Sequence, residues 1–142
     1  MLCLIFSRPT PWNGIYSATK AALHSLTQVL EMECRPLNIS VMLVAPGSVK
    51  SNLVDNHSKI FSLPPTSLYG SFIDQIIRRM HVSQTGDCMP TDYFAQQVVS
   101  KIMRRNPPFY VRIGGNIRGV SILEWLPRGL VLWIVWRVFS RK

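Results

Sequence analysis

Ile39-Ser40-Val41-Met42-Leu43-Val44-Ala45-Pro46-Gly47 is the stretch on which the fold turns. Its run from Ile39 to Val44 is apolar almost without interruption and rich in β-branched residues, the pattern of a strand covered on both faces in a parallel sheet. Pro46-Gly47 ends it. Parallel strands need a long crossover, normally a helix, and the sequence just upstream supplies one. From about Tyr16 to Glu33 the residues Ala22, Leu23, Leu26, Val29, Leu30 and Met32 recur at helical spacing, and Arg35-Pro36 stops the pattern. Further upstream, Leu2 to Phe6 reads as the tail of another buried strand, Ser7 to Trp12 as a loop containing two prolines, and Asn13-Gly14 as its close. Strand, helix and strand together make one βαβ unit.

Downstream, Ser48 to Ser67 is polar, contains Pro64-Pro65, and is predicted to be a loop or lid. The spacing of Phe72, Ile73, Ile76, Ile77 and Met80 predicts a helix over Leu68 to His81. Pro90-Thr91-Asp92 opens another, with Tyr93, Phe94, Val98, Val99, Ile102 and Met103 as its stripe and Asn106-Pro107-Pro108 as its stop. Phe109 to Ile113 is a further strand before Gly114-Gly115. The paired charges Arg78-Arg79 and Arg104-Arg105 read as solvated helix ends, favourable beside C-terminal carbonyls. Near the end, Gly129 to Trp136 is apolar all round, with Trp125, Trp133 and Trp136 in or beside it. Arg128 and Arg137 bracket eight positions, far short of the roughly 20 apolar residues of a spanning helix. Tryptophan and arginine at the ends of a short apolar helix suit a segment lying in a membrane interface. Packing on the core or across a dimer is the competing expectation.

At 142 residues and 47% hydrophobic content the chain is one domain with material for a core. Sixteen Lys and Arg against seven Asp and Glu give a net charge of +9, which favours an anionic partner: nucleic acid, a phosphorylated metabolite or an acidic membrane surface. The basic residues are interleaved with apolar ones rather than run together, which argues against a nucleic-acid tail. Cys3, Cys34 and Cys88 form no Cys-x-x-Cys pair and have no histidine near enough to suggest a metal site, so a reduced, intracellular protein is expected. Met1 to Phe6 lacks a basic leader and reads as strand rather than signal.

The chemistry is carried by Tyr16-Ser17-Ala18-Thr19-Lys20. Residues four apart share one helical stripe, which sets an ammonium beside a phenol and favours the ionised phenol. Such a pair gives or takes a proton near neutral pH, although a solvated lysine beside a half-buried tyrosine also arises by chance. Pro11-Trp12-Asn13-Gly14-Ile15 leads into the pair, small residues Ser17, Ala18, Ala21 and Ala22 line the helix, and the next strand runs into Val44-Ala45-Pro46-Gly47-Ser48-Val49-Lys50-Ser51. Two motifs in this order resemble the short-chain dehydrogenase/reductase family.

That resemblance implies an α/β fold: a partial Rossmann-like, doubly wound parallel sheet over residues 1–115, followed over residues 116–142 by an apolar, Trp-rich helical tail. It implies a nicotinamide dinucleotide cofactor. Tyr16 would protonate a carbonyl oxygen as hydride arrives, and Lys20 would tune Tyr16 and hydrogen-bond the nicotinamide ribose. Pro46, Gly47 and Val49 would line the carboxamide end, with Ser51 supplying a hydroxyl where the family usually has threonine. The family's carbonyl-orienting serine aligns with Cys3, whose thiol is a poor donor, and Ser7 lies too close to Tyr16 in sequence to replace it. The family's glycine-rich turn, which sets the cofactor pyrophosphate at a helix N-terminus, has no counterpart. Gly114-Gly115 follows the last strand and precedes no long polar helix, so it does not serve. The chain is therefore expected to correspond to the C-terminal half of such a reductase, with the Ile39 to Val44 strand exposing a sheet edge.

Within the family, the segment from Pro9 to Lys20 and the closing Gly-Gly, Trp-Leu-Pro and aromatic helix most resemble the fungal NADPH-dependent 1-acyldihydroxyacetone-phosphate reductases. That subgroup implies NADPH, a lipid-like carbonyl substrate, and a place at the endoplasmic reticulum membrane or lipid droplet surface, with a homo-oligomer as a further expectation. A non-catalytic fragment binding a lipid or a partner is the alternative.

Overall fold

The structure, a computed structural model, describes residues 9–115, 117 and 123–140. The expected strand Leu2 to Phe6, and with it Cys3 and Ser7, lies outside the described residues. Helix α1 (Gly14–Cys34) runs into a short 3-10 turn at Arg35–Leu37 and then to strand β1 (Leu43–Pro46). Helix α2 (Leu53–Ile60), a 3-10 turn at Gly70–Phe72, helix α3 (Ile73–His81) and a 3-10 turn at Val82–Gln84 follow. Helix α4 (Thr91–Ile102) leads to strand β2 (Tyr110–Ile113), and helix α5 (Arg128–Ser140) closes the described chain. β1 and β2 pair in parallel, with Leu43 opposite Tyr110 and Pro46 opposite Ile113. A mixed α/β fold built on a parallel sheet is thus as expected.

The paired strand is displaced from the predicted one. Residues 39 to 42 belong to no strand, because the β2 ladder begins only at Tyr110, where the Leu43 N–H donates to the Phe109 carbonyl at 2.6 Å. β1 is covered in alternation rather than continuously: Leu43 and Ala45 are buried while Pro46 is exposed. The predicted lid between Ser48 and Ser67 contains α2, whose Val54 reaches the core. The helix expected from Leu68 begins only at Ile73, after the 3-10 turn.

The core is small. The buried apolar residues among those described are alternate residues of the sheet, Leu43 and Ala45 from β1 and Val111 and Ile113 from β2, together with Val54, Ile76, Val131 and Val135 from the helices, where α2 and α5 both pack on α3. The α1 stripe predicted to be buried is largely open: no residue of α1 is buried, and Leu26 is 55% exposed. The reason is geometric. A 21-residue helix is about 31 Å long, whereas strands of four residues span only about 13 Å and leave most of it uncovered. The tail helix α5 docks on α3. It buries Val131 and Val135, one turn apart, and leaves Leu130, Leu132, Trp133 and Trp136 part-exposed. Among the described residues no helix is long and apolar enough to cross a membrane.

Candidate active site

Tyr16 and Lys20 occupy the first two turns of α1 and face the same way. The Lys20 Nζ lies 5.4 Å from the centroid of the Tyr16 ring, a cation–π distance, and Tyr16 is 50% exposed, open to an incoming molecule. One turn further on, His24 sits edge-on to the Tyr110 ring with centroids 6.3 Å apart. Burial holds its imidazole pKa below the ordinary value, and repulsion from Lys20 adds to the effect. Tyr16, Lys20 and His24 therefore form one stripe running from open solvent to the sheet.

The turn that launches this helix is anchored by Trp12. Its backbone is left-handed, with φ of 60°, a region that bulky residues avoid. The indole holds it there by packing against Phe72 (5.8 Å between centroids) and Trp136 (6.1 Å). The Asn13 N–H donates back to the Thr10 carbonyl at 3.3 Å, and the Ser17 N–H to the Asn13 carbonyl at 2.9 Å.

Pro46 to Ser51 leaves the C-terminal end of β1 and is fixed along its length. The Gly47 N–H donates to the Ile113 carbonyl at 2.8 Å, Ser48 exchanges hydrogen bonds with Gly115, and the Lys50 N–H donates to the Met89 carbonyl at 3.0 Å. The Thr91 hydroxyl donates to the Lys50 carbonyl at 2.7 Å. Gln84 closes the segment from the other side: its Nε2 donates to the Val49 carbonyl and its Oε1 accepts from the Ser51 N–H, both at 3.2 Å. Among the described residues the Val49 N–H finds no protein acceptor.

Sequence reasoning set Gly114-Gly115 aside as unable to hold a cofactor, and the structure gives the pair a different task. A Cβ on Gly47 would strike the Gly115 carbonyl oxygen, and one on Gly114, whose φ is +137°, would lie 2.6 Å from the Gly47 nitrogen. The three glycines let two backbones touch where β1 and β2 end. A side chain at Gly47 or Gly114 would push the Pro46–Ser51 segment off the sheet, and one at Gly115 would strike the Asp87 carbonyl instead.

Arg79 departs from expectation. Rather than a solvated helix end, it is half-buried, with Nε donating to the Thr10 hydroxyl at 2.7 Å and its guanidinium 5.6 Å from the Phe139 ring centroid. Burial lowers its pKa from the ordinary arginine value, while the nearby Tyr16 phenol, when charged, acts the other way. One stretch of chain, α3 and the turn after it, thus reaches the Tyr16 neighbourhood through Arg79 and the Val49–Ser51 segment through Gln84. In the sequence Arg79 reads only as one of a pair of helix-end charges, and Gln84, a glutamine in a polar turn, resembles ordinary surface.

The comparisons with known proteins converge on one family. The family model described as short chain dehydrogenase matches residues 5–60, which contain both Tyr16–Lys20 and Pro46–Ser51. The short-chain dehydrogenase RED1 of Pyricularia oryzae is 30% identical over 138 residues, covering 93% of this chain and 46% of that protein. The NADPH-dependent 1-acyldihydroxyacetone phosphate reductase of Saccharomyces cerevisiae is 28% identical over 134 residues, covering 93% of this chain and 43% of that one. A crystal structure of a short-chain dehydrogenase from Streptomyces avermitilis superposes with a TM-score of 0.61 at 20% identity, over 97% of this chain and 48% of the other. The fold is of the Rossmann type, and the chain belongs to the short-chain dehydrogenase/reductase family. It spans less than half the length of these relatives.

Proposed function

We propose that this chain is the catalytic, C-terminal half of a reductase that uses NADPH to reduce the carbonyl of a lipid intermediate of the acyl-dihydroxyacetone phosphate kind. The observation that carries the proposal is the Lys20 ammonium 5.4 Å from the ring of a half-exposed Tyr16. NADPH, when bound, supplies the hydride. Tyr16 gives its proton to the substrate carbonyl oxygen, so that ketone becomes alcohol and the phenol becomes phenolate. Lys20, whose ammonium lies beside the Tyr16 ring, would balance the charge of that phenolate and hydrogen-bond the nicotinamide ribose. Pro46, Gly47, Val49 and Ser51 would hold the nicotinamide end. The Val49 N–H, which finds no acceptor among the described residues, fits a carboxamide oxygen, and the clasp by Gln84 and Met89 fixes where it points. The phosphate end of the cofactor has no glycine-rich turn in this sequence, so a nucleotide-binding half must complete the enzyme.

The test is NADPH oxidation driven by acyl-dihydroxyacetone phosphate, with this chain joined to a nucleotide-binding half. Loss of a general acid costs about 10²- to 10⁴-fold in rate, and Tyr16→Phe should show a loss in that range. Turnover unchanged in that variant rejects the assignment.

The part-exposed Leu130, Leu132, Trp133 and Trp136 on α5 favour a second reading, a non-catalytic fragment that binds lipid or a partner. They also support a place on the endoplasmic reticulum membrane or a lipid droplet surface for either reading, as the open α1 stripe supports a homo-oligomer. Liposome flotation with and without residues 129–142 separates membrane binding through the tail from binding elsewhere.

A further inference from the structure

Arg79 is a half-buried cation that, among the described residues, leaves most of its hydrogen-bonding capacity unused. A guanidinium presents five N–H donors in a planar fork. Here the Nε–H goes to Thr10 and one face to Phe139, and no carboxylate among the described residues reaches the terminal nitrogens. Withdrawing a charge from water without a partner is costly, so the position calls for an anion. Its surroundings say of what kind. Trp12, Phe72 and Trp136 pack around the loop that also carries Thr10, and Phe139 lies on the same α5 helix as Trp136. The Arg79 guanidinium is thus held between Thr10, two residues before Trp12, and Phe139, three residues after Trp136, at the edge of that aromatic cluster.

We propose that Arg79 receives the phosphate group of an amphiphilic substrate, with the hydrocarbon part against the Trp12–Phe72–Trp136 cluster. This rests on the reductase reading and adds to it the residue that selects a phosphorylated over a neutral lipid carbonyl. The lowered pKa of Arg79 agrees with a desolvated site, where a bidentate phosphate contact is stronger than on the surface. The same chemistry would be offered by the phosphates of the cofactor, so the test must separate the two sources.

The 142-residue chain is titrated at low ionic strength with dodecyl phosphate, 1-dodecanol and NADPH in turn. Tryptophan fluorescence serves as readout, because Trp12 and Trp136 line the site. Arg79→Met should weaken dodecyl phosphate at least tenfold and leave dodecanol and NADPH unchanged. Arg79→Lys, which keeps the charge and loses the fork, should fall between, and it carries the test if Arg79→Met does not fold. Four results overturn the proposal: no binding of dodecyl phosphate to the unaltered chain, equal binding to chain and variant, an equal loss for dodecanol, or a loss confined to NADPH. None of these needs turnover, so a Tyr16→Phe variant that keeps full reductase activity defeats the reductase reading while the Arg79 result stands by itself.

Discussion

Gln84 clasps Val49: its side-chain nitrogen donates to the Val49 carbonyl at 3.2 Å while its oxygen takes the Ser51 N–H two residues on. One amide thereby fixes the direction in which the Val49 N–H points. Replacing Gln84 by Ala strands one acceptor and one donor in a partly solvated place, and should cost about 1–2 kcal/mol in chemical denaturation. Gln84→Glu keeps the acceptor and sets a carboxylate oxygen against the Val49 carbonyl, so it should cost more than Ala. If both variants are as stable as the unaltered chain, the clasp contributes nothing.

The glycine contact between Gly47 and Gly114-Gly115 yields a sharper stability test. Gly47→Ala drives a methyl group into the Gly115 carbonyl, where backbone rather than a pliable side chain must give way. A loss of about 1–3 kcal/mol is expected, with faster amide exchange at Ser48 and Gly115, whose reciprocal bonds the methyl group would part. Gly14→Ala is the control. Nothing lies within 4 Å of a Cβ there, and at the first position of a helix alanine should be neutral or stabilise by up to about 1 kcal/mol.

What the sequence made legible, and what it hid, divides along physical lines. The Tyr16–Lys20 relation follows from helical spacing alone, and the parallel pairing of β1 with β2 follows from an apolar run on each side of long helical crossovers. Hidden were features set by contacts between distant segments. The extent of β1 depends on where Tyr110 begins its ladder, α2 arises in a mostly polar stretch from which Val54 is buried, and Arg79 differs from the exposed Arg78 in being half-buried against Thr10. Gly114-Gly115 could have been found by asking which backbone a second glycine segment would touch, since Gly47 is the obvious mate at the other strand's end.

His24 gives the fold a pH dependence of known sign. Its folded pKa lies below the ordinary 6.5, through burial first and Lys20 second, so below that value the unfolded chain binds the proton more readily than the folded one. Stability should therefore decline as pH falls through about 6.5 and level off below the folded pKa. Thermal melts of the chain between pH 8 and pH 5 would show the decline, and His24→Gln should flatten part of it. A variant with an unaltered slope would remove His24 as the cause.

Tyr16 and Lys20 are proposed to act as one unit, and that makes a statement about additivity. If Lys20 serves the reaction by balancing charge on the Tyr16 oxygen, it has nothing to balance once the phenol is gone. In the completed enzyme, Tyr16→Phe and Lys20→Met should each lower kcat by about 10²-fold or more, and the double variant should be little worse than Tyr16→Phe alone, as for groups that work together. Folding stability should scarcely change, because the Tyr16 ring is half in solvent and surface substitutions shift stability by about 0.5 kcal/mol at most. Losses that multiply in the double variant would mean that Lys20 serves a separate purpose, holding the cofactor ribose without regard to the phenol. In that case Lys20→Met should raise the KM for NADPH equally in the Tyr16 and Phe backgrounds, and the 5.4 Å stacking of ammonium on ring would be incidental to the chemistry.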